Sequence, residues 1–166
     1  TSQCSTITGQ LNTVRNTSTS IVSGYGNIQN HTESSTIFGE DNDISGVKII
    51  LTSGKKNVIL NENQSLVQGF ENDVKDGSYN LITGRKNYSE NNTESNLLGF
   101  QNNAIDSKAT TLLGESNSSN LTTNSLVSGE SNIESQGNNN LVTGHSNNIT
   151  RDVNSFIGGD DNTTLD

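Results

Sequence analysis

The stretch that decides the fold is NSLVSGESNI, residues 124–133, because residues 139–148 repeat its pattern as NNLVTGHSNN fifteen positions later. Both segments carry two apolar residues, a glycine and then an asparagine at the same offsets. Repetition at a fixed period is typical of solenoids and other repeat proteins.

Eleven glycines lie fifteen residues apart, and an asparagine follows each of them by three residues. The glycines are Gly9, Gly24, Gly39, Gly54, Gly69, Gly84, Gly99, Gly114, Gly129, Gly144 and Gly159, and the asparagines run from Asn12 to Asn162. An aliphatic residue stands two positions before every glycine except Gly54, where Thr52 takes its place. Ser, Asn or Thr stands four positions before each glycine, with Ile50 as the exception.

Apolar and polar residues alternate on both sides of each glycine, which predicts β-strands and not helices. Two short strands per fifteen residues predict an all-β fold, a parallel β-solenoid (a two-sheet β-roll) of eleven coils in one domain over residues 1–166. The coils start near residues 1, 16, 31, 46, 61, 76, 91, 106, 121, 136 and 151. Because coils stack at the strand spacing of about 4.8 Å, the rod would be roughly 50 Å long.

The stacked positions have predictable roles. The aliphatic residues form a column in a thin core, the asparagines form a hydrogen-bonded ladder, and the glycines supply a turn conformation. The second strand is less regular, since its apolar residue is Ile44, Ile59 or Ile149 in some coils but comes one place earlier as Ile28 or Ile133 in others. We expect local bulges or a looser sheet there, and the weakest packing in coil eight, which has serines at these positions.

Side chains one and three residues before each glycine should point away from the core; we call them the first-strand face. None of these twenty-two residues is charged, although the chain holds 27 charged residues. An uncharged, regular face of this size indicates an interaction surface. The alternative is that this row faces inward and the neighbouring aliphatic row outward, since only one of them can be the core.

Composition excludes several classes of function. The net charge of −9 argues against binding to a nucleic-acid backbone. The chain has no apolar run long enough to cross a membrane, so we expect no membrane partner. Cys4 is the one cysteine and cannot form an internal disulfide.

The pattern N-x-V-x-G-x-x-N-x-V, as in residues 80–89 and 140–149, resembles the ryegrass-type antifreeze proteins. That resemblance covers all eleven coils and implies a left-handed β-roll, secreted to the extracellular space, that binds ice through a Thr-, Ser- and Val-rich face. Hydroxyl and methyl groups about 4.8 Å and 6.6 Å apart lie near the oxygen spacings of ice. The ice-binding candidates are Thr6, Thr8, Ile21, Ser23, Thr36, Leu51, Ser53, Leu66, Leu81, Thr83, Thr111, Leu126, Ser128, Leu141 and Thr143.

A second, weaker resemblance leads to a different function. NSFIGGDDNT (154–163) and the recurring S-x-(A/V)-x-G phrase are similar to the head repeats of trimeric autotransporter adhesins. In that family outward aliphatic residues pack between subunits, which would make the leucines of the first-strand face a homo-oligomer interface. A self-assembling extracellular fibre subunit that uses the same face is a related alternative.

The residues give no reason to expect catalysis, a cofactor or a metal ion. His31 and His145 lie far apart in the repeat and are expected at surface turns. The acidic residues of GEDND (39–43) and GGDDN (158–162) do not recur in every coil, unlike those of calcium-binding β-rolls. Nine N-x-(S/T) triplets are present, and Asn30, Asn63 and Asn91 would be the accessible glycan acceptors in a secreted eukaryotic protein. We therefore expect a protein that is not an enzyme.

Overall fold

The computed structural model describes residues 4–61, 63–76, 78–91, 93–106 and 108–165. Within these ranges every regular element is a β-strand, and the strands form two parallel sheets of eleven strands each. The chain alternates between the sheets, so that each strand pairs with the strands one coil before and one coil after it. The predicted all-β parallel solenoid of eleven fifteen-residue coils is confirmed.

The strands are numbered in chain order, with odd numbers in the first sheet and even numbers in the second. The first sheet comprises β1 (Cys4–Gln10), β3 (Thr19–Tyr25), β5 (Ser34–Glu40), β7 (Ile49–Lys55), β9 (Gln64–Phe70), β11 (Asn80–Arg85), β13 (Asn96–Phe100), β15 (Thr111–Glu115), β17 (Leu126–Glu130), β19 (Leu141–His145) and β21 (Phe156–Asp160). The second sheet comprises β2 (Thr13–Arg15), β4 (Ile28–Asn30), β6 (Asp43–Ser45), β8 (Val58–Leu60), β10 (Asp73–Val74), β12 (Tyr88–Glu90), β14 (Asn103–Ile105), β16 (Ser118–Asn120), β18 (Ile133–Ser135), β20 (Asn148–Thr150) and β22 (Thr163–Leu165).

The core is a column of aliphatic side chains from the first sheet facing a shorter column from the second. Val22, Ile37 and Ile82 are fully buried two residues before their glycines, as are the equivalent residues of most other coils. The column opens in the first coil, where Ile7 is 48% exposed. Ile44, Ile59, Val74, Ala104 and Ile149 close the core from the second sheet. The aliphatic row thus faces inward, and the alternative facing is wrong.

Within the described residues, the second sheet contains none of the predicted bulges. Its strands stay in one-to-one register, so polar residues take the inward position wherever the apolar residue comes one place early. Gln29 and Glu134 are fully buried, whereas Ile28 and Ile133 are 46% and 45% exposed. Glu134 is therefore a core residue. In coil eight Ser119 occupies the inward position and β16 pairs on both sides.

The recurring glycines lie inside strands of the first sheet and not in turns. At Gly84 the backbone φ is +116°, and a Cβ there would overlap the carbonyl oxygen of Gly99 in the next coil. Glycine is required because adjacent coils approach closely at this column. The turn itself lies two residues later, at residues such as Lys56 and Gln101, whose φ values are +56° and +55°. The prediction that these glycines form the turn is therefore wrong.

The asparagine ladder closes the same corner. Asn27 Nδ2 donates to the carbonyl oxygen of Gly39 at 2.9 Å, and Asn27 Oδ1 accepts from both the backbone nitrogen and Nδ2 of Asn42 at 3.1 Å and 2.9 Å. The bond from the backbone nitrogen to the preceding Oδ1 recurs in every coil from Asn27 to Asn162. The bond from Nδ2 to the glycine carbonyl of the next coil recurs from Asn12 to Asn147. Buried amide groups need such partners, because an unpaired one destabilises the fold. The predicted ladder is confirmed.

The coil changes shape between β9 and β11. The first five strands of the first sheet have seven residues each, β11 has six, and each later strand has five. The residue five before the glycine belongs to the strand in the early coils but adopts φ near +55° in the later ones, from Tyr79 (φ 58°) to Asn154 (φ 58°). Asparagine tolerates this left-handed conformation, whereas β-branched Thr19 and Ile49 disfavour it.

Candidate interaction face

The structure places the first-strand face on the outer surface of the first sheet. Ile21 and Leu51 are 45% and 40% exposed, while the residues next to them in sequence, Val22 and Ile50, are buried. The fifteen residues predicted for ice binding all lie in this sheet. Five of them are exposed, namely Thr6, Thr8, Ile21, Leu51 and Leu126. The other ten are half-buried: Ser23, Thr36, Ser53, Leu66, Leu81, Thr83, Thr111, Ser128, Leu141 and Thr143.

These side chains form two straight columns because the strand register never shifts. Ile21 pairs with Thr36, which pairs with Leu51, and Leu126 pairs with Leu141 in the same way. Each column therefore repeats at the parallel-strand spacing of about 4.8 Å, with about 6.6 Å between the two columns. The face carries no charged side chain at any of its twenty-two positions.

A third column on the same face was missed by the sequence analysis. The residue five before the glycine is exposed and in register in the first five coils, because their strands begin early. This column contains Cys4, Thr19, Ser34, Ile49 and Gln64. The sequence shows that these residues lie at the same two-residue spacing as the other two columns. It does not show the backbone change at Tyr79 that ends the third column.

A shallow groove crosses the face at the end of the third column. Ile49, Leu51, Gln64 and Leu66 line it, and Tyr79 of the next coil stands at its border. Ile49 and Tyr79 are 53% and 54% exposed. The groove is thus apolar with amide and hydroxyl groups at its edge, and it lies where the three-column region meets the two-column region.

Charged groups occur along one border of the face, where the residue that follows the glycine is charged in six of the eleven coils. Lys55 Nζ donates to Glu40 Oε1 at 2.8 Å, and this hydrogen bond raises the pKa of the lysine. The Arg85 guanidinium lies between two rings, 5.2 Å from the centre of Phe70 and 5.8 Å from that of Phe100. Such contacts join neighbouring coils and contribute little each, because exposed ion pairs are screened by water.

The outer surface of the second sheet is chemically different. Lys75 donates to Glu90 at 3.1 Å and to the Tyr88 hydroxyl at 2.7 Å. Burial raises the pKa of the neighbouring Asp73 carboxyl. Apolar Ile28, Val58 and Ile133 are interspersed with these charges. This surface lacks the uninterrupted uncharged columns of the first sheet.

The structure also shows where the two histidines and the candidate glycan acceptors lie. His31 lies at a corner with φ of 53°, whereas His145 ends strand β19 and is not in a turn. Asn63 and Asn91 are exposed, but Asn30 is a half-buried residue of β4 and not of a loop. The part of the chain that the structure describes contains no group of three or more His, Cys, Asp or Glu side chains that could hold a metal ion.

A search of the described residues for a helix long and apolar enough to span a bilayer gave none. Neither the scan against protein-family models nor the search of curated proteins finds a match for this chain. The geometry of the first-strand face is therefore the basis for the functional proposal.

Proposed function

We propose that this protein binds ice, and that the first-strand face adsorbs to the crystal surface. The observation that carries the proposal is the pair of uncharged outward columns, held in constant register over eleven strands. The resemblance to the ryegrass-type antifreeze proteins supports the same function and implies an extracellular protein.

The physical basis is the ordering of water by a regular, uncharged surface. A charged group holds its hydration water in an orientation set by the charge, and removing that water costs free energy. Hydroxyl groups such as those of Thr83 and Ser128 can share hydrogen bonds with water at a fixed spacing, and the methyl groups of Leu81 and Leu126 hold water only weakly. A surface built from both can carry an ice-like water layer that merges with the crystal.

A charged substitution on the face tests the proposal. Lysine in place of Leu126, which is 36% exposed, should lower thermal hysteresis and the inhibition of ice recrystallisation. The matched control is Ile133→Lys, because Ile133 is 45% exposed on the opposite sheet of the same coil. The control should retain full activity. Equal activity of both variants and the unmodified protein would show that this face does not bind ice.

A second candidate function is self-association through the same face, as in an adhesin head or a fibre subunit. The observation that favours it is the size of some outward side chains, since Phe38 is 46% and Phe156 is 72% exposed. Large contiguous apolar groups at a surface mark sites of protein–protein interaction. Size-exclusion chromatography with light scattering separates the two candidates: a monomer supports ice binding, and a stable trimer or a fibre supports self-association.

A further inference from the structure

We propose that the ice-binding surface is wider in coils one to five than in the remainder of the solenoid, and that the third column makes this region the main ice-binding patch. The inference rests on the proposed ice-binding function and names the part of the face that performs it. The column consists of Thr19, Ser34, Ile49 and Gln64, preceded by Cys4 in the first coil.

The third column has the properties of the other two. Its members pair in register, Thr19 with Ser34, Ser34 with Ile49 and Ile49 with Gln64, so that they repeat at the same strand spacing. All of them are exposed and none carries a charge. Three columns span about 13 Å along each strand, against about 6.6 Å for two. Each early coil therefore presents three groups to a lattice and each later coil presents two.

The later coils lose the column because of one backbone conformation. Tyr79, Glu94 and Asn139, the equivalent residues, have φ values of 58°, 57° and 56° and lie outside the strands. The in-register pairing of β9 with β11 accordingly starts at Ser65 and Asn80, one residue later than that of β7 with β9. The charged residue at this position, Glu94, occurs in a later coil, where the position no longer belongs to the strand.

Ordered water is the occupant that best fits this patch. An uncharged partner suits a surface whose fifteen outward positions over five coils include no charged residue. The groove bordered by Ile49, Gln64 and Tyr79 extends the patch along the third column. Adsorption to a crystal strengthens with the number of groups that engage at once, so the wider half should contribute more than its share of the strands.

The test compares one substitution at equivalent positions in the two halves. Ile49→Lys puts a charge into the third column, and Asn139→Lys puts the same charge at the equivalent residue of a later coil. Lysine is compatible with the left-handed corner conformation, as Lys56 and Lys86 adopt it in this chain. Thermal hysteresis is measured for both variants and for Leu126→Lys, with circular dichroism as the check on folding. Ser34→Lys replaces Ile49→Lys if the latter does not fold.

We expect Ile49→Lys to lose most of its hysteresis and Asn139→Lys to keep that of the unmodified protein. If Ile49→Lys keeps full activity while Leu126→Lys loses activity, the third column does not bind ice. The proposal that the other two columns bind ice would then still stand. Absence of hysteresis in the unmodified protein would overturn both proposals. Dissociation of an oligomer by Ile49→Lys would identify a second copy of the chain as the occupant and would also overturn the inference.

Discussion

Asn102 Oδ1 accepts hydrogen bonds from both the backbone nitrogen and the side-chain Nδ2 of Asn117, at 3.1 Å and 3.3 Å, although the two residues are fifteen positions apart. Asn102 Nδ2 in turn donates to the carbonyl oxygens of Leu98 and Gly114, at 3.1 Å and 2.9 Å. One fully buried side chain thus joins its own coil to the next. The ladder stabilises the stacking of coils in a chain whose composition is only 27% hydrophobic.

Replacement of a ladder asparagine should therefore destabilise the fold strongly. Asn102→Ala leaves the Leu98 and Gly114 carbonyls and the Asn117 amide without these partners, and each buried unpaired group costs about 1–3 kcal/mol. We expect a loss of about 3 kcal/mol or more in the free energy of unfolding, measured by urea denaturation. Asn148→Ala, at an exposed position of the second sheet, is the control and should cost about 0.5 kcal/mol or less. Similar losses in both variants would mean that the ladder contributes little.

The glycine column predicts an equally position-specific effect. A Cβ at Gly84 would overlap the backbone of Gly99, whereas a Cβ at Gly158 would meet only the Phe156 ring, at 3.4 Å. Gly84→Ala should cost several kcal/mol or prevent folding, since backbone cannot move aside as a side chain can. Gly158→Ala should fold normally, and near-equal melting temperatures of the two variants would contradict the close stacking of coils.

Repetition explains which parts of the fold were predictable. The aliphatic column and the asparagine ladder recur in nearly every coil, so a single irregular coil such as that of Thr52 does not hide them. The second-sheet register was predicted wrongly because Ile133 is more hydrophobic than Glu134, whereas the stacking of coils, and not local hydrophobicity, decides which of the two faces inward. In the fold, in-register pairing with Ser119 and Ile149 puts Glu134 inside.

The extent of the candidate face was also only partly predictable. Two columns follow from alternation around the glycines, and the structure places all of their residues outward. The third column depends on whether one residue per coil extends the strand or adopts a left-handed conformation. Tyr79, Glu94 and Ala109 adopt that conformation without belonging to the residue types that favour it, so their residue types do not indicate the change.

Thr52 is the polar residue in the aliphatic column, and replacing it with an apolar residue should give a more stable protein. Thr52 is fully buried between Ile37 and Val67, and its hydroxyl has no hydrogen-bond partner among the described residues. Thr52→Val preserves the shape and removes the unpaired hydroxyl, which should raise the free energy of unfolding by about 1 kcal/mol. Thr83→Val, in the half-buried outward column, should change it much less. A lower stability of Thr52→Val would reveal a role for the hydroxyl that its surroundings do not suggest.

Glu134 makes the stability of the solenoid depend on pH. Ser125 Oγ and Asn140 Nδ2 both donate to Oε1 at 2.8 Å, while Oε2 is buried without a hydrogen-bond partner among the described residues. Burial raises the pKa of this carboxyl, the two donors oppose that effect, and the negative charge of Asp152 adds to it. The folded protein therefore holds the proton of Glu134 at a pH where the unfolded chain has released it.

The sign of the pH dependence follows from that difference. The protonated carboxyl is favourable for folding below the unfolded pKa of about 4.3, and its contribution is lost as the pH rises through the folded pKa. Glu134→Gln cannot ionise, so we expect it to be more stable than the unmodified protein at neutral pH and to show a weaker decline in stability between about pH 4 and pH 7. Urea denaturation across this range measures both effects, with Glu130→Gln, an exposed residue of the preceding strand, as the control. If the Glu134→Gln and unmodified curves run parallel over the whole range, the buried carboxyl does not titrate differently in the folded state, and the pH dependence must come from other carboxyls such as Asp73.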